Sequence, residues 1–175
     1  MKALFNLILI ALLSGCTAHY PNQNIEGTVF PDVSGTSLEQ QIVKLPEAVL
    51  GKPALFLIGY KQNSQFDIDR WLIGLDMKEV DVVAYELPTI AGMFPRMFSA
   101  QIDEGMRRGI PKELWGGVIT IYQDGERIQE FTGNEKPNNA RVVLLDDKGK
   151  IIFFYDRGFS VTALNNIIER LSSIK

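Results

Sequence analysis

A chain of 175 residues that is 46% apolar and 22% charged carries enough apolar side chain for one packed domain, which excludes a disordered polymer. Its net charge of −3, with no basic run, excludes a phosphate-tracking nucleic-acid binder and an electrostatic grip on anionic lipid. A single cysteine, Cys16, excludes a disulfide framework within the chain.

The chain starts with one cation, Lys2, an apolar run from Ala3 to Leu13, and the string Leu13-Ser14-Gly15-Cys16. A charged start, a short apolar run and small residues before a cut describe a secretory signal over residues 1–15. The run is too short for a bilayer span, which takes about 20 apolar residues. The string L-S-G-C resembles the lipobox of bacterial lipoproteins. In that family the cysteine sulfur receives a diacylglycerol, the signal is cut just before it, and the new N-terminus is acylated, with palmitate among the acyl chains. The resemblance implies lipidation at Cys16 and membrane contact through that anchor. Two or more chains anchor stably, at about 0.8 kcal/mol per buried CH₂. It also implies a place in the cell envelope. Thr17, rather than Asp, follows the cysteine, which resembles the sorting pattern for the periplasmic face of the outer membrane in a Gram-negative cell. A modified Cys16 leaves no thiol for disulfide exchange, nucleophilic attack or metal ligation.

Residues 16–28 are polar, contain Pro21 and Gly27, and read as the lipidated cysteine and a tether; the domain is expected over 29–175. Pro53 to Tyr60 is an unbroken apolar run, as in a buried central strand. Ser64 and Asp67 have capping-box spacing, and Ile68, Trp71, Leu72 and Leu75 mark the face of the helix that follows. Val80 to Tyr85 is a second strand. Phe98, Ile102 and Met106 lie four apart on another helix, stopped by Gly109 and Pro111. Two hairpins are then expected: Val118–Tyr122 with Arg127–Phe131 around Asp124-Gly125, and Arg141–Leu145 with Lys150–Tyr155 around Asp146–Gly149. A helix capped by Ser160 closes the chain. Strand–helix–strand order implies a parallel pair, with helices covering both faces of a mixed sheet.

The stretch GTVFPDVSGTSLEQQIVKLPEAVLGKPALFLIGY resembles the lead-in of peroxiredoxins and thiol–disulfide reductases, and ARVVLLDDKGKIIFFYDRGFS resembles their last hairpin. Over about residues 27–173 the chain is therefore similar to the thioredoxin-like superfamily. The fold implied is α/β: a three-layer α/β/α arrangement with a mixed central sheet, here with an extra β-hairpin. GVITIYQDGERIQEFTG also resembles the final hairpin of that superfamily; the second hairpin is preferred as the core one because a capped helix follows it directly. The redox members carry C-x-x-C between the first core strand and its helix, and this chain has Lys61-Gln62-Asn63-Ser64 there. Those members also place a cis-proline before the last hairpin. The matching position falls near Ala140, and a non-proline cis bond costs about 2.5–4 kcal/mol, so a trans bond is expected. No catalytic residue carries over.

The resemblance sets the loop from Gly133 to Arg141 beside the Lys61–Ser64 loop. Asn138, Asn139 and Arg141 on one side, with Gln62, Asn63 and Ser64 at a helix N-terminus on the other, then make a candidate site for an envelope protein or a peptide. Turn formation alone also accounts for the Asn, Gly and Pro of the first loop. Asp103, Glu104, Arg107 and Arg108 read as a solvated helix face, and Asp146-Asp147 as a turn. His19 has no neighbouring ligand in sequence, and no phosphate loop, G-x-S-x-G or metal-ligand spacing occurs, so no cofactor or metal is expected. The expected function is a membrane-anchored binding or assembly module rather than an enzyme. The alternatives are a non-thiol enzyme using Glu135, Asn139 and Arg141, and a purely structural envelope lipoprotein. A hairpin of the same kind occurs in some mitochondrial membrane-complex assembly factors.

Overall fold

The apolar run from Pro53 to Tyr60 becomes the centre of the molecule. The computed structural model describes residues 18–174; the expected signal over 1–15 and Cys16 lie outside them. The strands are β1 (Val33–Ser37), β2 (Ile42–Leu45), β3 (Ala54–Gly59), β4 (Val83–Pro88), β5 (Ile119–Thr120), β6 (Arg141–Leu145) and β7 (Ile151–Tyr155). The helices are α1 (Gln65–Met77), α2 (Met93–Met97), α3 (Ser99–Gly109), α4 (Gly125–Thr132) and α5 (Val161–Ser173).

All six residues of β3 are buried, at about 1.5–3 kcal/mol for each large apolar side chain removed from water. β3 lies inside a mixed sheet of order β4-β3-β6-β7. It runs parallel to β4, from Ala54 opposite Val83 to Gly59 opposite Pro88, and antiparallel to β6, with Ile58 opposite Arg141. Period-two alternation sends Leu55 and Leu57, with Val142 and Leu144 of β6, to the face covered by α1 and α5. There Trp71 is fully buried, edge-on to Phe159 at 5.2 Å and Tyr155 at 5.9 Å. The same alternation sends Phe56, Ile58 and Tyr60 to the opposite face, with Val143, Leu145 and Arg141.

That second face carries more than the expected helix. Beside the expected helical cover, supplied here by α4, it carries a three-stranded sheet of order β2-β1-β5 and the N-terminal segment. The two sheets meet along residues 118–121, which bridge in parallel to β4 at Glu86↔Val118 and Thr89↔Ile121. Glu86 is half-buried at this junction, where burial raises its carboxyl above the ordinary Glu range against the opposing hydrogen bond from Gln65 Nε2 (3.0 Å). A raised folded-state pKa is a stability contribution present at low pH and lost as pH rises through that value. Glu86→Gln is therefore expected to stabilise the protein at pH 7, and the difference to fade on acidification to about pH 4, where the unfolded Glu protonates. Urea midpoints measured across that range check it.

The first expected hairpin is corrected. Val118–Tyr122 shortens to β5, and Arg127–Phe131 is not a strand but most of helix α4. Gly125, Ile128 and Thr132 are its buried residues, spaced three and four apart, which is the helical period rather than alternation. Asp124, read as a turn residue, uses Oδ2 to accept from Ser34 N at 2.8 Å and so ties α4 to β1. Gly125 has no room for a side chain, because a Cβ there would sit 2.7 Å from Ile90 O. The extra hairpin of the fold is β1–β2 instead. The second expected hairpin is observed as β6–β7, with Asp146 Oδ1 accepting from Lys148 N and Lys150 N at 2.9 Å each. Ser160 caps α5 by accepting from Ala163 N at 3.4 Å. Among the described residues the one cis peptide bond is Leu45–Pro46, away from Ala140.

The segment expected as a tether lies along the domain from Ala18 onward. Ile25 is buried in the core, and Gly27 and Thr28 exchange backbone hydrogen bonds with Ile151.

Candidate functional site

β3 ends at Gly59, and the chain turns through Lys61 into α1, while β6 begins beside it at Arg141. The loops at this end of the sheet enclose an open cleft of about 820 Å³. One wall is Tyr60 and Lys61, another the 90–95 segment, a third the Asn134–Pro137 loop with Glu126 and Gln129 of α4, and the last Ala18 to Tyr20. Glu126 and Gln129 reach it together because residues three apart share a helix face.

Arg141 organises this region from beneath. It is fully buried, and its guanidinium lies over the Tyr60 ring at 4.8 Å. It donates to Gly133 O (3.2 Å), Lys136 O (2.6 Å), Asn139 O (2.9 Å) and Asn22 Oδ1 (3.4 Å). Burial lowers its pKa, while Tyr60 and Asp156 act the other way. Tyr60 is buried too; its hydroxyl bonds with Thr132 Oγ1 and donates to Ile128 O, and burial drives its pKa far above the phenol value. Arg141 thus lies beneath the loop and outside the cleft lining, with four of its five N–H groups given to Gly133, Lys136, Asn139 and Asn22, which corrects the cleft-facing role expected of it. Asn139 is likewise committed, donating through Nδ2 to Asp156 O at 3.0 Å.

Ser64 is buried and donates to Lys61 O at 2.6 Å. It caps no helix N–H, so the expected capping box is absent. Asp67, its expected partner, is 5% exposed and bridges two other chain segments. Oδ2 accepts from Ala140 N at 2.8 Å and Oδ1 from Phe159 N at 2.6 Å. Gln62, Asn63 and Asn138 are exposed, beside the cleft walls at Lys61 and Pro137. The two expected loops do come together, but three of the six expected side chains hold the structure rather than face a ligand.

Sequence reasoning missed the N-terminal wall. Tyr20 N donates to Asn134 Oδ1 at 2.8 Å, Asn134 N to Tyr20 O at 2.9 Å, and Asn134 Nδ2 to Ala18 O at 2.9 Å. His19 Nε2 sits 4.0 Å from Glu135 Oε1, both solvent-exposed. The signal for this docking was Ile25, a lone apolar residue in a polar stretch. Gly133 makes the docking possible, with φ +80° and ψ 161°, a region essentially closed to other residues. A Cβ there would also meet Pro21 O at 2.5 Å. Gly133→Ala is expected to cost about 2 kcal/mol and to make residues 18–24 sensitive to protease, read by denaturation and limited digestion.

The expected solvated face on α3 is also partly structural. Asp103 is buried and accepts from Tyr122 OH at 2.8 Å, while Arg107 Nε donates to Leu38 O at 2.7 Å.

No protein-family model matches the sequence, and no curated protein matches it. Solved structures do. Yeast Sco1 with copper bound matches with a TM-score of 0.59 at 12% identity, over 87% of this chain and 96% of that one. A putative protein disulfide isomerase from Bacteroides thetaiotaomicron gives 0.56 at 13% identity, over 90% and 93%. The exposed lipoprotein thioredoxin of Streptococcus pneumoniae gives 0.53 at 9% identity, over 81% and 100%. The chain has a thioredoxin-like fold. Among the described residues no three His, Cys, Asp or Glu side chains come together as metal ligands.

Proposed function

We propose that this thioredoxin-like chain is a lipid-anchored protein of the cell envelope that holds a peptide or a partner protein in the cleft beyond β3, without thiol chemistry. The observation that carries the reading is an open cleft at the start of α1 in a chain whose sequence has no cysteine after Cys16. Thiol–disulfide exchange needs a thiolate at the point of attack, and Lys61, Gln62, Asn63 and Ser64 occupy that loop. What the cleft offers is a mixed polar surface: the Lys61 ammonium, the Glu126 and Glu135 carboxylates and backbone groups, suited to hydrogen-bonding an extended chain. The anchor on Cys16 raises the effective concentration of that surface at the membrane. The thioredoxin of Streptococcus pneumoniae described as an exposed lipoprotein is one case of this fold in such a setting. Arg141 is buried among loop carbonyls and Asn139 is tied to Asp156 O, so the two residues serve the structure of the loop, and binding is the reading retained.

Photo-crosslinking in intact cells tests it. Crosslinkers placed at Lys61 and Glu135 are expected to capture the same envelope polypeptide, and one at Lys148, at the far end of the sheet, is not. Equal capture from all three positions, or none from the cleft, removes the reading. Insulin reduction by the domain is expected to be silent. For the anchor, Cys16→Ser is expected to release the protein from the membrane fraction or leave the signal uncut; a processed, membrane-bound variant contradicts lipidation.

A further inference from the structure

Ala18 is fixed on the cleft wall by two hydrogen-bonded residues, Tyr20 and Asn134. Cys16 is two residues away, and two extended residues reach about 7 Å. Whatever is attached to Cys16 therefore leaves the domain beside this cleft, with no spacer to carry it elsewhere.

The neighbouring wall is apolar on its outer side. Met93 lines the cleft and is 80% exposed; Met97, one turn further along α2, is 71% exposed. The one cation of this helix, Arg96, is turned inward. Its Nε donates to Tyr122 O at 3.0 Å and its Nη2 to Gln123 O at 3.2 Å, which pins α2 to the domain and leaves the thioethers outermost. Two long, flexible apolar side chains held outward within reach of the anchor point form a surface whose exposure to water is unfavourable.

We propose that the Met93–Met97 edge of α2 docks on the phospholipid bilayer, so that the lipid on Cys16 and this helix together fix the domain with its cleft end toward the membrane. The proposal rests on the lipidation of Cys16 proposed above. The bilayer is the occupant the geometry favours, because acyl chains attached at Cys16 must enter it within a few residues of the cleft wall. Each methionine then adds apolar contact to the anchor at the headgroup–acyl boundary, about 5–10 Å deep.

The test uses the full-length acylated protein in dioleoylphosphatidylcholine vesicles. Met93→Cys, Met97→Cys and Lys148→Cys each receive a thiol-reactive, environment-sensitive fluorophore. All three sites are exposed, so the fold is not strained by the change. Lipids with a quencher high on the acyl chain are expected to cut the emission at 93 and 97 at least about twofold and to leave 148 unchanged, as shallow insertion requires. Emission at 93 and 97 no more quenched than at 148 overturns the docking. Labels at 93 and 97 that are shielded from water in the vesicle-free Cys16→Ser protein overturn it too, since a second copy or the apolar N-terminal run then covers the edge. Uptake of label by the parent protein marks a free Cys16, which is failure of the lipidation reading and is seen separately.

Discussion

Replacing Arg141 by alanine is expected to lower the unfolding free energy by about 4 kcal/mol, a large share of the 5–15 kcal/mol typical of a domain. The guanidinium is the hub on which Gly133, Lys136, Asn139 and Asn22 converge, and charged donors contribute about 1.5–3 kcal/mol per hydrogen bond, not additively. Removing it takes the charged donor from all three carbonyls, leaves Asn139 O without its Arg141 partner, and opens a void above the Tyr60 ring. Lysine is expected to recover less than half of the loss. A single ammonium cannot fan out to carbonyls on three residues and also lie flat on the ring. Urea unfolding at constant m-value measures both variants. A loss below about 1 kcal/mol for the alanine variant would mean that water satisfies the loop and that Arg141 is not its hub. The 133–140 loop forms one cleft wall, so capture of a partner at Lys61 is expected to fall with it.

Asp67→Ala is expected to cost about 3 kcal/mol. Its carboxylate satisfies the backbone N–H of Ala140 before β6 and of Phe159 before α5, and an orphaned buried donor costs about 1–3 kcal/mol each. The side chain is thus a clamp joining α1 to the segments that enter and leave the β6–β7 hairpin. Asp67→Asn retains one acceptor oxygen and is expected to lose about half as much. Because both N–H groups lose their acceptor, amide exchange at Ala140 and Phe159 is expected to speed up before global unfolding does. Unchanged exchange there alongside lost stability would place the effect in the α1 turn instead.

How far each element was legible follows from what carries its signal. β3, β6 and β7 announce themselves because both faces or one face are buried, and the resulting runs of Leu, Ile, Val and Phe are local in sequence. α1 and α5 were legible for the same reason, through Ile68, Trp71 and Leu75 and through the Ser160 cap. The 125–132 segment was misread because Asp-Gly is a turn signal in isolation. The buried spacing of Gly125, Ile128 and Thr132 decided for helix once Ile90 and β1 packed against it. Ser64 and Asp67 show the same limit. Their spacing matches a cap, yet the acceptors were taken by donors 73 and 92 residues away.

The candidate site divides the same way. That the two loops meet follows from β3 and β6 pairing antiparallel, which the thioredoxin-like resemblance implies. Which side chains of those loops face water does not. Arg141 lies on the Tyr60 side of β6, and there the carbonyls of its own loop outcompete any ligand for its donors.

From the order of residues alone came the absence of a thiol beyond residue 16, the lipobox-like start, and the helices at 65–77 and 161–173 with the strands they follow, since each is a property of composition or of short-range period. Only the tertiary structure decided that the second face is closed by a β-sheet, that the expected tether is docked by Asn134, and that Asp67 and Arg141 are struts. The docking of the N-terminal segment and the clamp at Asp67 depend on contacts between residues far apart in sequence, such as Tyr20 with Asn134, 114 residues along the chain. Local periodicity carries no record of which distant donor will reach a buried acceptor first.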